Sequence, residues 1–259
     1  MLRNPEIAIF VIYYLLGDVA IDLSSCANDL YKILAASLIS SSDEIRERAV
    51  LCVAVIARKT TDAAALQRLV DGIFATYSGS DGKISSVGQR ISVLEALKLA
   101  SSHGSKDRKA CETIAADVLQ RLNPQLVSEV HQATSTALWD ALMAWSVQLT
   151  DAHEKLLPIW KVALKSPARS AALKSIVTLF ANEKKGRVLN ADLSKLIMDI
   201  FKTRTNTSDF IVASLLLLDD EKTCGNVRQT LEKEDFCKEK FIVSLSTTGR
   251  SFQALILIF

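Results

Sequence analysis

Apolar positions recur along the chain with helical spacing, in runs near 5–17, 24–39, 42–58, 62–77, 86–102, 107–122, 134–149, 153–165, 168–181, 189–203, 207–219, 225–233 and 236–247. The stretch "SSSDEIRERAVLCVAVIARKTTD", residues 40–62, shows the pattern most clearly. Ile45, Ala49, Cys52, Val53 and Ile56 fall on one face, and Val50, Leu51, Ala54 and Val55 make the far side apolar as well. A helix that is apolar nearly all round has to be covered on more than one side, and stacked helical layers supply that cover. Ser41 and Glu44 have the spacing of a capping box. Asp43 and Glu44 suit the positive end of the helix dipole, and Glu44 precedes Arg48 by one helical turn.

The connections between runs are short and polar: "SSS", "KTT", "SGSDGKISS", "HGSKD", "NPQ", "KSP" and "NEKKGR". No strand-like alternation competes with them. A basic residue opens successive apolar helices at Arg46, Arg90, His131 and Arg169, separated by 44, 41 and 38 residues. That period suits HEAT and armadillo repeats, in which helix pairs stack into a superhelix. "DEIRERA" resembles the start of a HEAT second helix, and "PARSAAL" is a looser echo. The expected fold is all-α, a right-handed α-α superhelix of HEAT/armadillo-like type. Residues 1–247 would form about six helix pairs of a longer array. Residues 248–259 would be an atypical end, a fragment boundary or an alternative terminus, because "TGRSFQALILIF" offers no polar capping face.

With 259 residues, 49% hydrophobic, and only 9 Gly and 4 Pro, the chain has ample material for a helical core. Its net charge of +2 hides an uneven distribution. Residues 161–205 hold ten Lys/Arg against three Asp/Glu, whereas residues 1–160 hold 15 against 18. Cys26, Cys52, Cys111, Cys224 and Cys237 are odd in number and scattered, so they read as reduced thiols rather than a disulfide framework. "IAIFVIYYLL", Ile7 to Leu16, reads either as a signal-peptide core or as a buried helix, and the second is preferred because nothing downstream looks secreted. It is too short to span a bilayer.

Catalytic and metal chemistry is hard to place. "SGSDGKIS", Ser78 to Ser85, lacks the first glycine and the final Ser/Thr of a P-loop and reads as an inter-helix turn. His103, His131 and His153 are far apart, without zinc-ligand spacing. Trp139, Trp145 and Trp160 read as core, and the acidic clusters Asp219–Glu221 and Glu232–Asp235 as solvated faces. The expectation is a non-enzyme with no cofactor, no metal and no small-molecule substrate.

Two stretches carry a family resemblance. "LRNPEIAI…VAIDLS" and "SSDEIRERAVLCVAVIARKTTDAAALQRLVDGIFATYSGSDGKISSVGQRISVLEAL" are similar to the amino-proximal HEAT array of the general-control translational activator. The most specific piece is the "GSDGK" turn followed by "VGQRISVL". The resemblance implies a cytoplasmic, ribosome-associated scaffold segment of a protein that promotes activation of the initiation factor-2-alpha kinase in the amino-acid starvation response. Its implied partners are the ribosome, through protein and rRNA surface, and the stress kinase through other parts of the parent chain, with no membrane. The alternative is a generic HEAT/armadillo adaptor that binds peptides or protein partners. The basic segment reads either as ordinary solvated faces or as a phosphate-tracking face, with Lys184, Lys185 and Arg187 at its centre and Lys174 and Lys195 extending it.

Overall fold

The computed structural model describes residues 5–182, 189–203, 207–218, 220 and 222–233. Every regular element among them is helical, and no strand occurs among the described residues. The chain divides into two compact units, Met1–Ala152 and His153–Phe259.

The first unit contains α1 (Pro5–Phe10), a π-helical turn (Val11–Leu15), α2 (Ala27–Leu38), α3 (Asp43–Arg58), α4 (Ala63–Tyr77), α5 (Val87–Ala100), α6 (Arg108–Ser128) and α7 (Gln132–Ser146). Its helices pack as two layers. α3, α5 and α7 follow one another in one layer, α2, α4 and α6 in the other, and the pairs α2/α3, α4/α5 and α6/α7 join them. This is the stacking of a HEAT-like α-solenoid. Ala49, Cys52, Val53 and Ile56 are fully buried as expected, whereas Ile45 at the helix entrance is only half-buried and Leu51 is exposed.

Polar links repeat with the same period as the helices. Tyr31 to Thr76, Arg46 to Ser92, Gln67 to Asp117, Tyr77 to Gln125 and Leu97 to Trp145 join residues 45 to 50 positions apart. Arg46 and Arg90 occupy the same place, the fourth residue of α3 and of α5. The basic anchor then slips: His131 is the N-cap of α7, and buried Ser135 takes the fourth position.

Three local expectations need correction. The N-cap of α3 is Ser42, not Ser41, and its side chain makes no capping bond. Arg46 reaches back over this helix start instead, to Asp43 and to the Ser40 carbonyl. The "NPQ" stretch is not a connection, because α6 runs through Pro124 to Ser128. Buried Leu122 and Leu126 hold both sides of the proline against the core, which outweighs one missing backbone donor. The apolar run Ile7–Leu16 is helical but covered on one side only: Ala8, Ile9 and Ile12 are buried, while Ile7, Phe10, Tyr13, Tyr14 and Leu15 are exposed.

The second unit contains α8 (Ala152–Ala163), α9 (Arg169–Asn182), α10 (Ala191–Thr203), α11 (Thr207–Leu218) and α12 (Cys224–Lys233). α11 is its central element, packed against α9, α10 and α12 and buried without a break from Asp209 to Leu217. Trp160 of α8 donates Nε1–H to Ser175 Oγ of α9 at 2.9 Å, and Phe201 of α10 stacks on Phe210 of α11 at 5.2 Å. Asp220 corrects the reading of its acidic cluster as a solvated face. It is buried, with one carboxylate oxygen accepting from the Leu189 amide and the other from the Thr223 hydroxyl.

Candidate interaction surfaces

Lys184, Lys185 and Arg187 lie outside the described residues, as do Cys237, Asp219, Glu221 and the 248–259 end. The two outlying members of the basic set are described. Lys174 stands exposed on α9, beside Ser175, whose hydroxyl is turned inward to Trp160. Lys195 is exposed on α10, one turn after Asp192. Lys161 of α8 pairs with Asp192 at 2.6 Å, and this ion pair holds the Asp192 carboxyl below its ordinary range, with a smaller contribution from the Lys195 charge. Lys195 is thus drawn into the field of an existing pair, whereas Lys174 stands on another helix. Exposed Lys165 and Lys202 add to the same local excess.

In the first unit the sequence's most specific motif resolves into structural tasks. Gly79 has φ +90°, the left-handed conformation that closes α4. The Ser80 amide bonds to the Ala75 carbonyl and the Gly79 amide to Thr76, the two bonds of a Schellman ending. Asp81 accepts the Thr76 hydroxyl at 2.6 Å, which leaves buried Tyr31 to donate its O–H to Thr76 Oγ1 at 2.6 Å. Ser86 and Gln89 form the capping box of α5, and the free amide of Gln89 crosses to the Ile39 carbonyl at 2.6 Å. Gly88 leaves room for Arg46: a Cβ there would stand 2.8 Å from the guanidinium, which donates to Ser92 Oγ at 3.2 Å. The turn is the expected inter-helix connection, and its conspicuous residues bind neighbouring repeats to one another.

Thiol and tryptophan chemistry is likewise absorbed by the core. Cys26, Cys52 and Cys111 are free thiols. Burial pushes the Cys52 thiol up to about 12, so it remains protonated and unreactive at neutral pH. Trp139, Trp145 and Trp160 are buried, each with its indole N–H bonded: to the Leu126 carbonyl, the Leu97 carbonyl and Ser175 Oγ. Among the described residues no group of three His, Cys, Asp or Glu is placed to hold a metal ion. None of the described helices is long and apolar enough to cross a membrane.

The surface that sequence reasoning missed lies on α1, α3 and α5, where Leu51, Phe10 and Tyr14 remain exposed beside Glu47 and half-buried Glu95. Its signal was present: Leu51 and Glu47 share a face of α3. Treating α3 as apolar all round hid that face.

Comparison with known proteins agrees with the resemblance in the motifs. Residues 1–84 match the family model described as the N-terminal region of the stalled ribosome sensor GCN1. The human stalled ribosome sensor GCN1 is 29% identical over 267 residues, covering 95% of this chain and 10% of the relative. The mouse protein of the same name is 33% identical over 160 residues, covering 62% of this chain and 6% of its own length. Protein ILITYHIA of Arabidopsis thaliana is 30% identical over 120 residues, covering 44% of this chain and 4% of that protein. No solved structure gives a significant match. The chain spans about a tenth of the length of its human relative. Over most of its length it is similar to a segment of the GCN1 proteins, and its first 84 residues match the model of their N-terminal region.

Proposed function

We propose that this chain is a non-catalytic solenoid segment that associates with ribosomes in the cytoplasm and contributes to translational regulation when ribosomes stall. The observation that carries the reading is the alignment of 95% of the chain with a protein named for sensing stalled ribosomes. Two features of the chain support it. The residues of its most specific motif, Thr76, Asp81, Ser86 and Gln89, join neighbouring repeats, as suits a scaffold. Its charge is gathered into residues 161–205, where a cationic surface can follow phosphates. In this reading Lys184, Lys185 and Arg187 are the leading contacts to rRNA, with Lys174 and Lys195 flanking them. Promotion of the initiation factor-2-alpha kinase in amino-acid starvation belongs to the parent protein, through regions outside this segment.

Ribosome co-sedimentation across a salt series tests the reading. The parent chain pellets with ribosomes at low salt and is released steeply as salt rises, because phosphate contacts release counterions. Neutralising Lys184, Lys185 and Arg187 together lowers binding and flattens the salt dependence. Equal co-sedimentation of parent and variant at every salt concentration removes these residues from the interface. Absence of any parent binding sinks ribosome association by this segment.

A further inference from the structure

The layer formed by α1, α3 and α5 leaves an apolar strip uncovered. One cleft, of about 490 Å³, lies between α3 and α5, with Val50, Leu51, Ile91 and Leu99 as its apolar lining and Glu47 and Glu95 at its sides. A second, of about 370 Å³, lies between α1 with its π turn and α3, and is lined by Ile9, Phe10, Tyr13, Tyr14, Arg48 and Leu51. Leu51, 42% exposed, belongs to both and makes them continuous. Phe10 and Tyr14, 55% and 61% exposed, have ring centroids 5.2 Å apart, and Tyr13 meets Tyr14 edge-on at 5.0 Å. Exposed aromatic and aliphatic groups gathered in this way mark an interaction surface rather than scattered surface residues.

The chemistry of the strip selects its occupant. Helices in a layer lie about 8–10 Å apart, so a strip over three of them is roughly 20 Å long. At 1.5 Å per residue this is spanned by roughly 14 residues of helix. The cations beside the strip are occupied: Arg46 by Asp43, Arg48 by Glu44 and Lys98 by Glu95. Glu47 has no ion pair among the described residues. A basic group arriving at the rim would meet Glu47 and, beside it, Glu95 shared with Lys98, and over the open faces of Phe10 and Tyr14 it would gain cation–π attraction. RNA phosphates would meet the same carboxylates as repulsion. A second copy of this chain, docked face to face, would set Glu47 against Glu47.

We infer that the strip from Phe10 and Tyr14 across Leu51 to Ile91 and Leu99 docks a basic amphipathic helix of a protein partner, its apolar stripe in the clefts and its cations at Glu47 and Glu95. The inference rests on the ribosome reading only for where such a partner would be met. It assigns protein contact to the first unit, as distinct from the phosphate contact proposed for the second.

The test uses the full chain and a fluorescein-labelled helical peptide of about 16 residues, with leucines in an i, i+4, i+7, i+11 stripe flanked by lysines, read by fluorescence anisotropy. The parent chain binds this peptide, and Glu47→Lys with Glu95→Lys weakens binding by about tenfold or more. Glu47→Gln with Glu95→Gln weakens it less, and Leu51→Ser weakens it without altering the melting temperature. Several results overturn the assignment: affinity unchanged by charge reversal, or equal binding of a peptide with glutamate in place of lysine. So do binding of a single-stranded RNA that the same variants abolish, and self-association that Leu51→Ser abolishes while the peptide fails to compete. Ribosome co-sedimentation separates this idea from the functional reading. A parent that pellets with ribosomes while the charge-reversed chain pellets equally well, with peptide binding also unaffected, rejects the strip alone. A parent that binds the peptide but no ribosomes rejects the functional reading and keeps the strip.

Discussion

The two units differ in how their best-placed cations are used. In the first, Arg46 and Arg121 are tied to particular acceptors that hold one repeat to the next. Arg46 is 7% exposed and joins the α2–α3 turn to α5, and Arg121 of α6 pairs with Asp71 of α4 at 2.6 Å and with Asp117 of its own helix at 2.9 Å. In the second, Lys161 is used to fasten α8 to α10, while Lys165, Lys174, Lys195 and Lys202 stand at the surface of a segment with ten cations and three acids. A charge that cements a repeat is committed to one geometry, and its loss is read in stability. A charge left at the surface is free to meet an external phosphate, and its loss is read in binding. Placement decides which role a cation plays.

The largest expected effect lies in the core of the first unit, where charge has no part. Trp145 is fully buried and donates its indole N–H to the Leu97 carbonyl at 2.8 Å, joining α7 to α5. Trp145→Ala is expected to cost about 3–5 kcal/mol, from lost burial and the cavity left behind. Urea denaturation followed by circular dichroism measures it, and a loss under about 1 kcal/mol would mean that the layer tolerates the gap. Next in size is Arg46→Ala, which leaves the Ser40 carbonyl and Ser92 hydroxyl without their donor, at about 2–3 kcal/mol. Arg46→Lys restores little of this, since an ammonium cannot reach acceptors in three directions as one planar guanidinium fork does. Lys174→Ala in the second unit is expected to stay within about 0.5 kcal/mol. Equal losses for Arg46→Ala and Lys174→Ala would erase the distinction between the units.

Much of this was legible in the residues, for a physical reason. Helix positions follow from the 3.6-residue period and from polar turns, both local, so α2 to α5 and α7 to α12 fall within a few residues of expectation. What escaped is set by tertiary burial and by particular partners, several of them far along the chain. Arg46 reads only as the basic residue that opens a repeat until Ser92 and Gly88, more than 40 residues on, are seen to build its socket. Asp220 reads as solvated until Leu189 and Thr223 are seen to satisfy it. Pro124 reads as a breaker until the buried leucines on either side hold the helix together. Among the candidate site residues, Lys174 and Lys195 were legible as cations within helical runs, and both are exposed. The strip at Leu51 was overlooked, because the apolar run around Leu51 masked the face it shares with Glu47.

A smaller effect sits at the edge of the first unit. Asp22 Oδ1 accepts the Ser24 hydroxyl at 2.6 Å and the Ser24 amide at 3.0 Å, and Oδ2 accepts the Thr61 hydroxyl at 2.9 Å. These bonds, to Ser24 first and then Thr61, lower its pKa from 3.8 to about 2. A carboxylate with a depressed folded pKa contributes stability that is complete above about 3.8 and lost as pH falls through about 2. Asp22→Asn should therefore lower the melting temperature slightly near neutrality and reduce its decline over that acid range. The site is open to water, so the change is modest. An identical melting-temperature profile for parent and variant from neutral to acid pH would show that Asp22 does not fasten this loop to the α3–α4 turn.

The smallest effect discriminates between the cations of the second unit. Asp192 lies below its ordinary pKa chiefly because Lys161 donates to it, with the Lys195 charge as a lesser cause. Lys161→Gln should raise the Asp192 pKa clearly, whereas Lys195→Gln should raise it only slightly, both followed by carboxyl carbon NMR during an acid titration. The sign follows from the same linkage: the pair stabilises the folded chain above the unfolded carboxyl's pKa and ceases to do so as pH falls through the folded value. Asp192 is solvent-exposed, so added salt should shrink both shifts. A larger shift for Lys195→Gln would make Lys195 the structural partner and release Lys161 to the surface. The candidate phosphate face would then lose Lys195 and move toward α8.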